Sequence, residues 1–168
     1  MAARDVIKNI NLFVDGRGYA GQIDDFNPPK LSLQTEEFRG GGMDGPIDLE
    51  MGMEKLVTDF SLISYDRDVL SLWGVRKGAT VPFVAREALE SFDGTVTPVK
   101  HTMRGKIIEH DPGSHKPGTA PKLKTSMSLT YYKLEHGGRL VHEIDVENMV
   151  RTIDGVDVLA EIRRALGM

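Results

Sequence analysis

The chain has 168 residues, of which 40% are hydrophobic and 27% charged, and its formal net charge is −4. This length and composition are typical of one globular domain spanning residues 1–168, and the acidic balance disfavours a nonspecific nucleic-acid binder, which needs a basic surface. The lack of cysteine excludes a disulfide framework, a thiolate metal site and a cysteine nucleophile.

Alternating patterns predict strands through the first third of the chain. The segments "INLFVDG" and "YAGQIDDF" flank a Gly-Arg-Gly turn, which predicts a hairpin. The segments "KLSLQTEEF" and "PIDLEM" alternate with period two, and "LVTDFSLISY" is rich in β-branched and aromatic residues. Each of these segments is therefore predicted to be a strand.

The first helical signal along the chain is a short internal segment. In "YDRDVLSLWGV", Asp66 or Asp68 is a candidate N-cap and Gly74 is a candidate stop. Trp73 lies on the apolar pattern of this segment, which predicts that its side chain belongs to the core.

Long strands are predicted in the second half. The segment "ATVPFVAREALESF" reads as a strand with Pro82 at an edge or bulge, although "REALES" is also compatible with a helix. The segment "VTPVKHTMRGKIIEHD" predicts one long strand. Residues 122–148 predict a hairpin whose turn runs from His136 to Arg139.

The end of the chain predicts a second helix. In "DGVDVLAEIRRALGM", either Asp154 or Asp157 can cap the helix, and Gly167 ends it. Apolar residues recur at helical spacing on one side. The predicted fold is therefore mainly β: an antiparallel sandwich or partial barrel with one short internal helix and a C-terminal helix.

Two glycine patterns match the dinucleotide-binding fingerprint G-x-G-x-x-G. One is Gly40, Gly42 and Gly45, and the other lies in "FVDGRGYAGQ". The fingerprint needs a strand before it and a helix after it, so that the helix N-terminus meets the phosphates. A strand pattern or two prolines follow instead, so the glycines are predicted to shape turns and no cofactor is predicted.

The titratable residues do not form a catalytic or metal-binding pattern. The best cluster is "HEID", but the side chains of His142 and Glu143 point to opposite faces of a strand. Adjacent carboxylates such as Asp24 and Asp25 diverge for the same reason. The sequence therefore predicts no metal site and no enzyme.

No segment predicts export or membrane insertion. The start, "MAARDVIKNINLFVDG", lacks an apolar stretch of signal-peptide length, and no apolar run approaches the roughly 18 residues of a membrane span. We therefore predict no membrane span and a protein that is made and folded in the cytoplasm.

Long regular strands leave open sheet edges, which pair with other chains unless they are covered. The predicted hairpin at residues 122–148 would be a liability in a lone monomer. It is favourable when neighbouring copies cover its edges.

Four segments together resemble the major tail tube proteins of contractile phage tails and R-type pyocins. They are "NLFVDGRGYAGQ", "PKLSLQTEEFRGGGMDGPIDLEMGMEKL", "MRGKIIEHDPG" and "YYKLEHGGRLVHEIDVENMVRTIDGVDVLAEIRRALG". The resemblance runs from Asn11 to the last residue and is weakest from Asp66 to Asp93. Phe38 stands where a tyrosine is common in the family.

The resemblance implies a structural role in the virion tail or the tailocin particle, with assembly in the bacterial host. Six-subunit rings are expected to stack helically into a hollow tube whose strands join around the lumen. The expected partners are further copies, the tail sheath, the tape measure protein, and the baseplate and terminator proteins. DNA would pass through the lumen of a phage tube without specific binding, helped by acidic residues that repel phosphate.

The resemblance and the strand patterns together predict three assembly surfaces. A contact with neighbouring subunits or rings is expected at Arg39, Gly40, Gly41, Gly42, Met43, Asp44, Met51 and Met53, although packing within the core is an equal interpretation of the methionines. Polar strand faces, which point either to the lumen or to the exterior, are expected at Ser32, Gln34, Glu36, Ser126, Ser128 and Thr130. An outer surface toward the sheath is expected at Arg163 and Arg164.

Three alternatives remain open from the sequence. The secreted tube protein of a type VI-like secretion system shares the expected architecture. A carbohydrate-binding β-sandwich needs an exposed aromatic platform, and Trp73 is the single tryptophan. The sequence does not separate a DNA-carrying phage tail from a DNA-free tailocin.

Overall fold

The computed structural model of the protein describes residues 3–74 and 79–168. Strands dominate, as the period-two patterns predict. The strands are β1 (Val6–Val14), β2 (Arg17–Gly18), β3 (Ile23–Asn27), β4 (Leu33–Phe38), β5 (Ile47–Met53), β6 (Val57–Leu62), β7 (Val81–Glu90), β8 (Val96–Asp111), β9 (Leu123–His136), β10 (Arg139–Asp145), β11 (Val150–Ile153) and β12 (Val156–Asp157). The helices are α1 (Arg67–Leu70) and α2 (Ala160–Leu166).

One curled antiparallel sheet contains ten of these strands. Its main path runs β12-β11-β10-β9-β8-β7-β1-β2, and a branch adds β6 and then β3 to the first half of β9. The branch folds over the main path, because the ring of Phe60 on β6 stacks on Phe83 of β7 with centroids 5.0 Å apart. Phe26 on β3 contacts the same ring. The predicted mainly β fold with partial closure is therefore confirmed, and the core lies inside the curl.

The two longest strands match the sequence prediction. Strand β8 covers all sixteen residues of the predicted segment, and β9 and β10 form the predicted hairpin, with Arg139 opposite His136. Their inward side chains are fully buried, as Met103 and Met127 illustrate. Alternation over most of their length allows such strands to be predicted from sequence.

The predicted N-terminal hairpin is wrong in its second strand. After β1 the chain turns back and forms only the two-residue strand β2, which pairs with Phe13 and Val14. Strand β3 instead pairs with β6, with Phe26 opposite Phe60. Burial of Phe26 against the core outweighs the local pairing that the turn suggested.

Strand β7 resolves the ambiguity at "REALES" in favour of a strand, because it continues to Glu90. Pro82 is the second residue of β7, at the end of the strand where the pairing with β1 stops. Its carbonyl oxygen accepts from Asp15 N–H at 2.9 Å, one residue beyond Val14, the last residue of β1 that pairs with β7. The predicted edge or bulge at Pro82 is wrong, because β7 lies between β8 and β1 in the sheet and Pro82 pairs with Arg104 without a register shift.

The internal helix begins as predicted. The Asp66 carboxylate accepts from the Val69 N–H at 3.0 Å and is the N-cap of α1, which selects Asp66 over Asp68. The core assignment of Trp73 is wrong, because its side chain is 60% exposed and only its Nε1–H is engaged, by the Ile108 carbonyl oxygen at 3.3 Å. An apolar residue just past a single helical turn has no periodicity to decide its side.

The C-terminal helix forms, but its N-cap differs from the prediction. Its N-cap is Leu159 rather than Asp154 or Asp157, while Gly167 ends it in the left-handed conformation as expected. None of its side chains is buried within the described chain. The apolar side of α2 therefore remains uncovered in the monomer.

Candidate functional site

Strands β4 and β5 form a hairpin that projects from the body, and we call residues 33–53 the hairpin arm. The arm is a separate two-stranded sheet, and no other described strand pairs with it. Its base is closed by the Glu54 N–H, which donates to the Ser32 carbonyl oxygen at 2.9 Å. An ion pair between Glu50 and Arg151 of β11 ties it to the body, and the Arg151 side chain is only 13% exposed.

One face of the hairpin arm is apolar. The register places Phe38 opposite Ile47 and Glu36 opposite Leu49, so these side chains share a face. Phe38, Ile47, Leu49 and Met51 are between 42% and 58% exposed. An isolated two-stranded hairpin is marginal in water, so an uncovered apolar face of this kind indicates a surface that another chain covers.

The other face of the hairpin arm is acidic. Glu37 lies opposite Asp48, and Glu50 lies opposite Thr35. Five carboxylates and a single arginine give residues 33–53 a formal charge of −4, which equals the net charge of the whole chain. The acidity seen in the composition is therefore concentrated in this one element.

The tip of the arm contains most of the residues predicted to contact another subunit. The Arg39 Nε–H donates to the Met43 carbonyl oxygen at 3.3 Å, and the Gly40 N–H donates to Met43 Sδ at 3.2 Å. Gly42 has φ +84°, a conformation that favours glycine. The glycines thus shape a tight tip, as predicted, and the nearby Gly41 and Asp44 are exposed.

The two methionines at the far end of β5 have different surroundings. Met51 is exposed on the apolar face, whereas Met53 is half-buried and packs against the core. The two interpretations of the methionines, contact surface and core packing, therefore each apply to one of them.

The polar face predicted at Ser32, Gln34 and Glu36 is not formed. Ser32 precedes β4, and Glu36 shares its face with Leu49 rather than with polar neighbours. Within β4 alone, the residues at the predicted alternating positions are polar. The residues of β5 that lie opposite this face are apolar, so the face as a whole is apolar. The members of the apolar face that the sequence analysis missed are Phe38, Ile47 and Leu49, and the period of "PIDLEM" was the signal for Ile47 and Leu49.

The second predicted polar face lies on the main sheet. Ser126 and Ser128 alternate with the buried Thr125 and Met127 and are on the outer side of β9. Thr130 lies at a bulge, where Arg104 pairs with Tyr131 and Gly105 with Leu129, so the alternation does not continue through it.

The strands next to this face carry charges of both signs, since Glu109 of β8 and Asp59 of β6 both lie opposite Ser126. Lys106 lies opposite Ser128 and is exposed. Arg104, also exposed, has its guanidinium 4.4 Å from the ring centroid of Tyr131. The outer face of β8 and β9 is therefore polar and of mixed charge, with the exposed Lys106 opposite Ser128 and the exposed Glu109 opposite Ser126.

The two arginines predicted on the outer surface differ. Arg163 is half-buried, with 23% of its side chain exposed, and it donates to the Asp157 carboxylate at 2.5 Å and to the Met149 carbonyl oxygen at 2.9 Å. The same hydrogen bond holds the pKa of Asp157 below its ordinary value. Arg164 is exposed to solvent. Of the two, only Arg164 is thus available to a partner.

The described residues offer no site for a metal ion. Within residues 3–74 and 79–168, no group of three or more His, Asp or Glu side chains could hold a metal ion. Neither described helix has the length and apolar character needed to traverse a bilayer.

Comparison with known proteins shows the family of the chain. The family model described as phage tail tube protein FII matches residues 4–167. The chain belongs to the phage tail tube family. The family is a structural one rather than an enzyme family, and this disfavours the carbohydrate-binding alternative.

Individual relatives agree with this assignment. The chain is 33% identical to the tail tube protein of Escherichia phage P2 over 172 residues, covering all of both chains. It is 30% identical to the major tail tube protein of Serratia phage KSP20 over 171 residues, covering all of this chain and 99% of the relative. It is a tail tube protein of contractile phage tails and related injection systems, and tail tube proteins are components of the virion tail.

The fold of this tail tube protein has a solved counterpart. A sheath/tube terminator of the extracellular contractile injection system PVC, in its extended state, superimposes with a TM-score of 0.58 at 8% identity, over 77% of this chain and 95% of that one. At this identity the likeness concerns the fold alone.

Proposed function

We propose that residues 1–168 act as one tail tube domain that polymerises through six-subunit rings, stacked helically around a hollow lumen. The hairpin arm is the observation that carries this proposal. A projecting two-stranded ribbon with a face of four exposed apolar side chains gains stability when a further chain packs against that face. Residues 39–53 are therefore the proposed contact between subunits.

Ring closure is supported by the free edge of β1. Strand β1 pairs with β7 on one side, and on the other side β2 reaches only Phe13 and Val14 in the described chain. Residues 6–11 thus offer unpaired backbone groups to a neighbouring strand. A ring of such contacts joins the sheets of successive subunits and removes the open edges.

The outer face of β9 is the proposed lumen surface, with Ser126 and Ser128 at its centre. Its charged neighbours have both signs, with Lys106 opposite Ser128 and with Glu109 and Asp59 opposite Ser126, so this face by itself does not make an acidic lumen. Repulsion of DNA phosphates would instead require the hairpin arm, with its charge of −4, to border the lumen. In a phage the tube would conduct DNA; in a tailocin it would puncture the envelope.

The remaining partners follow from the place of a tube within a contractile tail. We assign the sheath to the outside of the tube, where Arg164 is a candidate contact, and the tape measure protein to the lumen. The baseplate and the terminator would bind the two ends. Helical polymers need such partners because a contact that does not close leaves both ends open.

Electron microscopy of the purified protein, with sedimentation across concentrations, tests the proposal. We expect hollow tubes or six-fold rings from the unsubstituted chain. Met43→Asp should abolish them while leaving a folded monomer, because it places a charge at the tip of the arm.

Ser114→Asp is the matched control, since it adds the same charge in the exposed loop between β8 and β9. Rings of another symmetry would contradict the six-subunit assignment. Normal polymerisation of the Met43→Asp chain would show that the tip of the hairpin arm is not part of the contact between subunits.

A further inference from the structure

A second uncovered apolar surface lies beside α2, and we call it the α2 groove. It has a volume of about 640 Å³ and lies between the base of the hairpin arm, the ends of β10 and β11, and α2. Ile144, Val146, Val158 and Ile162 are among its walls. Val146, Val158 and Ile162 are between 45% and 58% exposed, so the groove is open to water.

The hairpin arm does not cover the α2 groove of its own chain. The arm contributes Glu50, Gly52 and Met53 to the groove wall. Glu50 lies on the acidic face, opposite Thr35. The apolar face, which carries Ile47 and Leu49, is therefore turned away from the groove beside it.

A polymer of identical chains in head-to-tail contact needs two different surfaces on each chain that fit one another. This chain has a projecting apolar ribbon and a concave apolar groove, and neither is covered by its own described residues. We propose that the apolar face of the hairpin arm of one copy packs into the α2 groove of a neighbouring copy. This inference rests on the proposed function, and it names the receptor for the arm.

Another exposed apolar cluster in the described chain is a poorer receptor. Val6, Phe92 and Val96 are exposed near the start of β1, but the depression there is lined by Arg4, Asp5 and Asp93. It also adjoins the free edge of β1, which ring closure would cover. The α2 groove, in contrast, has mostly apolar walls.

The absence of native cysteine allows a direct test by disulfide crosslinking. Chains carrying Ile47→Cys, chains carrying Ile162→Cys and unsubstituted chains are mixed in equal parts, assembled into tubes and oxidised mildly. Because each variant has a single cysteine, a disulfide between the two variants joins different copies. Both substituted side chains are about half exposed, so the monomers should fold.

The matched control replaces Ile47→Cys by Asp48→Cys, one residue away on the opposite face of the same strand. We expect roughly tenfold more mixed dimer from the Ile47→Cys pair than from the Asp48→Cys pair, because disulfide formation requires Cβ atoms within about 4.5 Å. A second pair, Leu49→Cys with Val158→Cys, samples the same contact at other positions.

The outcomes separate the two proposals. Tubes in which neither pair crosslinks above the control overturn the groove as the receptor while leaving polymerisation intact. Tubes in which Ile47→Cys crosslinks to Phe92→Cys instead assign the arm to the cluster near β1 and also overturn it. If the unsubstituted chain forms no tubes under any condition, the proposed function itself fails.

Discussion

At the scale of single residues, Gly105 is a position where no side chain fits. It lies at the bulge between β8 and β9, where a Cβ atom would be 2.1 Å from the Ser128 carbonyl oxygen. A backbone atom in a central strand cannot move aside as a flexible side chain does. Gly105→Ala should lower the free energy of unfolding by about 1–3 kcal/mol or more, measured by chemical denaturation of the monomer.

Gly41→Ala is the control for this substitution. A Cβ atom added at Gly41, in the tip of the hairpin arm, would have no atom within 4 Å beyond its chain neighbours, and the φ of Gly41 is not positive. The free energy of unfolding of this variant should stay within about 0.5 kcal/mol of the unsubstituted chain. Equal effects of the two substitutions would show that close approach at Gly105 is not the cause.

The ion pair between Asp157 and Arg163 makes α2 sensitive to acid. The hydrogen bond from Arg163 lowers the pKa of Asp157 in the folded chain, so the carboxylate stabilises the fold at pH values above its ordinary pKa of 3.8. That contribution is lost as the pH falls through the lowered pKa. Asp157→Asn should remove this part of the pH dependence, measured as hydrogen-exchange protection of α2 from about pH 5 to about pH 2.5. Unchanged dependence would mean that other carboxylates anchor the helix.

At the scale of elements, the hairpin arm is a sheet that does not belong to the core, so its tip can be strained without unfolding the body. Gly42 has φ +84°, and a β-branched residue there costs on the order of 1–3 kcal/mol. Gly42→Val should therefore raise the concentration needed for tube formation by roughly tenfold. Sedimentation measures this concentration, and circular dichroism follows the fold.

Gly41→Val provides the comparison, because it adds the same side chain at the neighbouring position, where φ is not positive. We expect it to assemble at a concentration closer to that of the unsubstituted chain. Unfolding of the Gly42→Val monomer would show that the tip supports the core, and the contact assignment would then be wrong.

At the scale of the whole molecule, the body and the hairpin arm are separable. The arm leaves and re-enters the body at Ser32 and Glu54, which are joined by a backbone hydrogen bond. Replacing residues 35–51 by a short Gly/Ser turn should leave a folded body that stays monomeric, measured by sedimentation and thermal unfolding. Tubes formed by the shortened chain would show that other surfaces are sufficient for assembly.

Elements whose pattern is local could be predicted from the amino acids alone. Alternation over most of β8 predicts this strand, the Gly-Gly turn predicts the hairpin of β9 and β10, and Asp66 is the N-cap of α1. Four segments also carried enough shared residues to indicate the tail tube family. Each of these signals is complete within one stretch of chain.

Properties that join distant stretches became visible only in the folded chain. The faces of the hairpin arm depend on register, because Glu36 belongs to an apolar face only when Leu49 lies opposite. The partner of β3 was chosen by burial of Phe26 in a core that distant elements complete, rather than by the nearby turn. The exposure of Trp73 and the uncovered side of α2 have the same origin: helical spacing shows that apolar residues share a side, but packing decides whether anything covers it.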